Sequence, residues 1–151
     1  MRRDVMIKVI WLLKRKPGMS KEAFREHYES SHVMLAHQYV GHLLEGYHRN
    51  YPVEGWLAPS SKREDGVVEP FEYEYDCITE MRIKDEAAAD EMLQIFNDPV
   101  IGKIFVDDEH RFLDRKKVVM LTCDEVNNGT GTGPLAPSKE ELAARAPVLA
   151  H

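Results

Sequence analysis

Imidazole, carboxylate and phenol groups are the side chains here that can move protons, and the imidazoles are concentrated in one stretch. Phe24 to Leu43, "FREHYESSHVMLAHQYVGHL", holds four of the chain's seven histidines: His27, His32, His37 and His42. On a helix turning about 100° per residue, Phe24, Tyr28, Leu35 and Tyr39 share one narrow sector, the inward face, and His32 falls beside it. His37 lies opposite and His27 well off the stripe, so both read as solvated. His42 returns to the stripe near the helix end. Metal ligands on one helix must share a face, whereas His27, His32 and His37 step by five, so the spacing predicts no metal centre. Two readings of His32 stand. It is either a core histidine whose ring nitrogens are satisfied by backbone or a tyrosine, or an imidazole projecting into a cavity between helix and sheet, where it suits general acid–base work. Tyr28 and Tyr39 flank it, a neighbourhood that favours a flat, apolar, oxygenated ligand.

The carboxylates that could serve such an imidazole are Asp76 and Glu80, on the alternating stretch "FEYEYDCITEMRI" (Phe71 to Ile83). Strand alternation puts both on one face with Ile78 between them. If that face looks at the helix, Asp76 orients the imidazole or acts as the acid; if it looks outward, both are solvated or at a dimer seam. Tyr28, Tyr39 and Tyr51 are candidate hydroxyl donors, with ring packing as the alternative for each. Trp56, alone in a polar loop, is either a lid over an aromatic ligand or a clasp that pins the loop. Nucleophilic catalysis finds no support: Ser30, Ser31, Ser60 and Ser61 sit in no strand–turn–helix elbow, and neither cysteine adjoins a basic residue. "GTGTG" (Gly129 to Gly133) follows the last strand and reads as linker rather than phosphate loop.

Six elements position these groups. "VMIKVIWLLK" reads as a buried strand ended by a Pro17-Gly18 turn, and Ser20 caps a helix, in one or two pieces, to about Leu44. "EGYHRNY" (Glu45 to Tyr51) is a second strand. A long loop rich in Pro, Gly and charge, of the kind that forms lids or binding loops, leads to the third strand, Phe71 to Ile83. "KDEAAADEMLQIFND" has helical spacing and is closed by Pro99. The polar segment "DDEHRFLD" leads into the last strand, Lys117 to Asp124. The order β, α, β, β, α, β predicts an α+β fold, a ferredoxin-like antiparallel sheet with two helices on one face. The other face needs cover, and a second copy supplies it, so a homodimer is expected. Residues 1–126 form the domain and 127–151 a linker and C-terminal arm, with "SKEELAARA" a short capped helix or an arm to the partner.

At 151 residues, 43% hydrophobic and 30% charged, the chain suits one domain with a real core. Its net charge of -6 offers no field for phosphate backbones or anionic lipid, which excludes nucleic acid and a membrane surface as expected partners. Asp4 and Lys8 break the N-terminal apolar run and no cleavage site follows, so neither a signal peptide nor a membrane span is read. Two cysteines, Cys77 and Cys123, in apolar runs fit buried thiols and a reducing, cytoplasmic setting. "NGT" at Asn128 is then an idle sequon.

"KRKPGMSKEAFREHYESSHVMLA" resembles the opening of the EthD-domain family, within the dimeric α/β barrel superfamily. A Pro-Gly-Met-Ser-like turn precedes a helix carrying Phe, then Tyr or Trp, then His, matched by Phe24, Tyr28 and His32. "YDCITEMRI" is similar to the family's third strand and "DDEHRFLDRKKVVMLTCDE" to its last segment, so the resemblance spans about Val5 to Glu125. It implies a dimeric α/β barrel binding an aromatic or polyketide-like small molecule without metal, flavin or other cofactor. Members act as dehydratases, decarboxylases, cyclases or isomerases, or are accessory proteins of a degradation pathway. On that basis His32 is the expected base with Asp76 its catalytic partner, and Tyr28, Tyr39, Tyr51, Trp56 and Glu80 are expected to meet the substrate. The runner-up is a non-catalytic binder in which His32 only hydrogen-bonds the ligand.

Overall fold

A computed structural model describes residues 5–57, 70–127 and 138–144. The strands are β1 (Ile7–Leu13), β2 (Leu44–Asn50), β3 (Gly55–Trp56), β4 (Pro70–Phe71), β5 (Cys77–Ile83) and β6 (Val119–Cys123). The helices are α1 (Lys21–His27), α2 (Val33–Val40), α3 (Glu86–Asn97), α4 (Pro99–Phe112) and α5 (Lys139–Ala144). β1, β2, β5 and β6 make one antiparallel sheet in the order β2-β5-β1-β6, while β3 pairs only with β4 as an insertion. Without that insertion the connectivity is βαββαβ, the ferredoxin-like α+β fold expected from the element order.

Local chemistry sets the boundaries. β1 is mostly apolar, with Val9 and Leu13 buried and the rest half-buried, and the chain leaves it through Gly18, whose φ of 82° suits the residue with no Cβ. Ser20 Oγ accepts from the Ala23 N–H at 3.1 Å and starts α1. Asp85 caps α3 through the Ala88 N–H at 2.7 Å. Asp98 accepts from the N–H groups of Val100 and Ile101, both at 2.9 Å, and Pro99 fills the first position of α4. In α5, Ser138 and Glu141 cap each other reciprocally at 3.2 Å.

Strand alternation separates the two faces of the sheet. Val9, Leu13, Cys77, Thr79, Met81 and Ile83 are buried beneath the helices, with Trp11 beside them. Leu12, Ile10, Ile78, Glu80 and Arg82 fall on the opposite face, which is half-exposed, and the edge strand β6 leaves Leu121 45% exposed there.

Three expectations need correction. α4 is a full helix where the sequence reads as a polar connection. The third strand begins at Cys77, because residues 72–76 turn rather than pair. Most consequentially, the first helix is not continuous α: Tyr28–His32 is a π-turn, in which the Val33 N–H bonds to the Tyr28 carbonyl five residues back. One extra residue enters the turn and the phase slips. The buried stripe therefore runs Phe24, Tyr28, Val33, Ala36, Val40, and Leu35 and Tyr39 are only half-buried. Ser60, Ser61, Asn128, the Gly129 to Gly133 run and the last residues of the C-terminal arm lie outside the described residues. Among the described residues no helix is long and apolar enough to cross a membrane.

Candidate functional site

Between the helices and the buried face of the sheet lies a cavity of about 260 Å³. Aromatic and aliphatic side chains make most of its wall, with Trp11 and Tyr47 from the sheet, Tyr28 and His32 from the π-turn, and Phe105 and Glu109 from α4. Gly102 lines it as well; a Cβ there would meet the Phe96 carbonyl oxygen at 2.4 Å, so only glycine lets α4 approach the end of α3 this closely. The Trp11 indole N–H is buried in this region without a hydrogen-bond partner among the described residues.

His32 is tied to Asp108, a residue that sequence reasoning passed over. Asp108 is fully buried on α4. Its Oδ2 accepts from His32 Nδ1 at 2.9 Å, and its Oδ1 accepts from His27 Nε2 at 3.0 Å and from the Ser31 hydroxyl at 2.7 Å. The Arg111 guanidinium stands 3.5 Å from the same Oδ1. An ionised carboxylate only accepts, so these contacts fix the tautomers: His32 carries its proton on Nδ1 and His27 on Nε2. Nε2 of His32 has no hydrogen bond among the described residues, which leaves its lone pair free on the ring that lines the cavity.

The electrostatics agree with that assignment. Burial lowers the His32 pKa below the ordinary histidine value and outweighs the opposing hydrogen bond from Asp108, so the ring is a neutral base at pH 7. Burial works against the charge of Asp108, but the hydrogen bonds from Ser31, His32 and His27 prevail and hold its carboxyl below the usual range. Tyr28 donates or accepts at 2.8 Å with Thr79 Oγ1 and at 3.0 Å with Tyr47 OH. Desolvation pushes Tyr28 well up and Tyr47 up to about 12, so both phenols stay protonated. Rings brace the imidazole, with Phe112 centred 5.1 Å, Phe105 5.7 Å and Tyr28 5.9 Å from it.

Of the residues expected at the site, the structure brings Tyr28 and His32 together in the cavity wall. Tyr39 packs edge-on against Phe105 at 5.8 Å, behind that wall. Asp76 does not reach His32. It stands just before β5, buried, accepting from the Arg15 backbone N–H at 2.9 Å with Lys14 Nζ and the Arg15 guanidinium at 3.6 and 3.7 Å. Glu80 is on the far face of the sheet beside Lys8, at 3.6 Å, because the helix-facing positions of β5 are the odd-numbered ones. Tyr51 donates to Glu29 at 2.5 Å and stacks under Arg25. With Trp56 and Asp76 it lines a separate groove of about 830 Å³. His27 is half-buried rather than fully solvated, since it is drawn onto Asp108 and stacks on Phe112 at 4.9 Å. On an α-helix, residues five apart diverge by about 140°; the π-turn brings His27 and His32 back to one side. Asp108 was detectable: with Ile101, Phe105 and Phe112 it follows helical spacing, which places a carboxylate on an apolar stripe.

A ferredoxin-like α+β domain with an aspartate-held histidine in the wall of an apolar cavity is the class that fold and site define. The chain belongs to the EthD-domain family, whose family model matches residues 16–116. The crystal structure of an ethyl tert-butyl ether D (EthD) family protein from Bacillus halodurans C-125 is similar with a TM-score of 0.52 and 23% identity, covering 81% of this chain and 100% of that one. The Arabidopsis thaliana protein At3g17210 gives a TM-score of 0.50 and 17% identity, covering 80% of this chain and 96% of that one. Identities this low establish a shared fold. No curated protein matches the chain.

Proposed function

We propose that this protein is a cofactor-independent lyase or isomerase in which His32 moves a proton on an aromatic or polyketide-like small molecule held in the cavity. The observation that carries the reading is the Nδ1–Asp108 hydrogen bond, which leaves Nε2 of a neutral imidazole as the available base beside an apolar space. His32 Nε2 takes a proton from carbon next to a carbonyl, and the electron pair moves onto the carbonyl oxygen as an enolate. Asp108 steadies the resulting imidazolium. The same proton then returns to another carbon, completing an isomerisation, or to a departing hydroxyl that leaves as water. Protonated Tyr47, backed by Tyr28 and Thr79, is the hydroxyl available to the enolate oxygen. An apolar cavity of about 150 Å³ holds benzene; one of about 260 Å³ has room for a substituted ring or a compact bicycle.

The test is His32→Gln, assayed against a panel of hydroxylated aromatic ketones. Turnover should fall about 10²–10⁴-fold with binding and melting temperature little changed. A variant that melts lower yet binds and turns over normally would return His32 to the core. Binding by the unmodified protein with no turnover across the panel would favour the accessory binder.

The assembly is a homodimer in this proposal, formed through the half-exposed sheet face of Ile10, Leu12, Ile78, Val119 and Leu121. Sedimentation should give a dimer for the unmodified chain and a monomer for Leu121→Arg. A monomeric unmodified chain at micromolar concentration removes the basis for it.

A further inference from the structure

Asp108 holds two imidazoles with one buried carboxylate. A base–orienter pair needs only His32 and Asp108, but here His27 and Ser31 both donate to Oδ1 while His32 alone donates to Oδ2. Each extra donor draws on the same negative charge. Hydrogen bonds to a carboxylate make it a weaker partner for whatever else it holds, and a second imidazole can itself become positive.

We propose that His27 is a positioning residue that sets the proton affinity of His32: by occupying one oxygen of Asp108 it limits the charge Asp108 presents to the cavity imidazole and keeps that imidazole unprotonated. This rests on the reading of His32 as the base. Both protonation states of His27 act in one direction. Neutral His27 donates to the carboxylate and weakens its pull on His32, and protonated His27 adds a positive charge that opposes a second one on His32. Position supports the assignment. His27 lies five residues before His32, its side chain 23% exposed, and it holds Asp108 without lining the cavity that His32 faces.

The other charged or titratable groups around His32 are few. Glu109 of α4 lines the cavity and favours protonation, Arg111 of the same helix stands against Asp108, and Tyr28 and Tyr47 remain neutral phenols. None of them bonds Asp108 Oδ1 as closely as His27 and Ser31 do.

The experiment follows the His32 imidazole directly by heteronuclear NMR titration of the full chain, without any substrate. His27→Phe keeps a ring to stack on Phe112 but removes the N–H; the His32 midpoint should rise by about half a unit to one unit. His27→Gln restores a donor and should bring the midpoint most of the way back. Should the phenylalanine variant not fold, Ser31→Ala removes a donor from the same oxygen and should shift His32 in the same direction. A midpoint that stays put in His27→Phe, or in Ser31→Ala where that variant substitutes for it, overturns the proposal. Failure of the base reading looks different: the midpoint moves as expected, yet His32→Gln leaves turnover intact.

Discussion

Asp76 and Asp108 are both buried aspartates, 8% and 0% exposed, and both gather several donors, yet the two regions around them do different work. Asp76 ties the segment before β5 to the end of β1: its own N–H donates to the Leu13 carbonyl at 2.8 Å, and its carboxylate takes the Arg15 N–H and the Lys14 and Arg15 side chains. The side-chain partners there are an ammonium and a guanidinium, and the arrangement ties two backbone segments together. Asp108 instead takes two imidazoles and a hydroxyl, and one of those imidazoles, His32, is a proton-accepting group that lines a cavity. A buried carboxylate locates chemistry only when its partners can titrate and one of them reaches a ligand-sized space.

Removing each carboxylate is the most direct way to break this contrast. Asp108→Ala strands three donors in an apolar interior, and breaking such a buried pair costs about 3–5 kcal/mol. Urea unfolding should show that loss, and the milder Asp108→Asn should lose turnover about as severely as His32→Gln. Full activity in Asp108→Asn would dissolve the difference between the two regions.

Acid should reveal the same distinction with a smaller effect. His32 has a lowered folded pKa, so its contribution to stability is complete above the ordinary histidine value of about 6.5 and is lost as pH falls below it. Asp108 is also lowered, but as a carboxylate it contributes fully above about 3.9 and fades only as pH falls beneath that value. Stability measured against pH should therefore decline in two steps, and His32→Gln should remove the upper one. Turnover should fall on acidification with a midpoint under the ordinary histidine value.

The smallest expected change comes from Asp76→Asn, which keeps an acceptor for the Arg15 N–H and gives up the ion pairs. Unfolding should become easier by about 1–2 kcal/mol, with the pH profile of turnover unmoved. A shifted profile would mean that the strand-end cluster communicates with the cavity after all.

How far the sequence could be read depends on where regular geometry holds. Phe24 and Tyr28 were legible because the chain is α-helical up to Tyr28, where the π-turn begins, and Ser20 announces its start; His32 closes that turn and still lies beside the stripe. Beyond it the 100° rule misassigns Leu35 and Tyr39 and separates two histidines that meet, since a one-residue insertion leaves no mark in composition. Asp108 was missed because "DDEHRFLD" is dominated by solvated charge, although Asp98-Pro99 signals a helix start that puts Asp108 on the apolar side. Glu80 was placed on the right strand and Asp76 just before it, but period-two alternation cannot say which face the helices cover, and they cover the odd-numbered positions.

The chain's two tryptophans fall at these two concavities, Trp11 in the wall of the cavity under the helices and Trp56, 49% exposed, at the groove. Their emission should differ for that reason: an indole in apolar surroundings fluoresces at shorter wavelength than one facing water. Trp56→Phe leaves a protein whose only indole signal comes from the cavity, so quenching by a coloured aromatic reads occupancy there without an assay. Trp11→Phe leaves the complementary reporter. The pair turns an unidentified ligand into an optical question of which lamp dims.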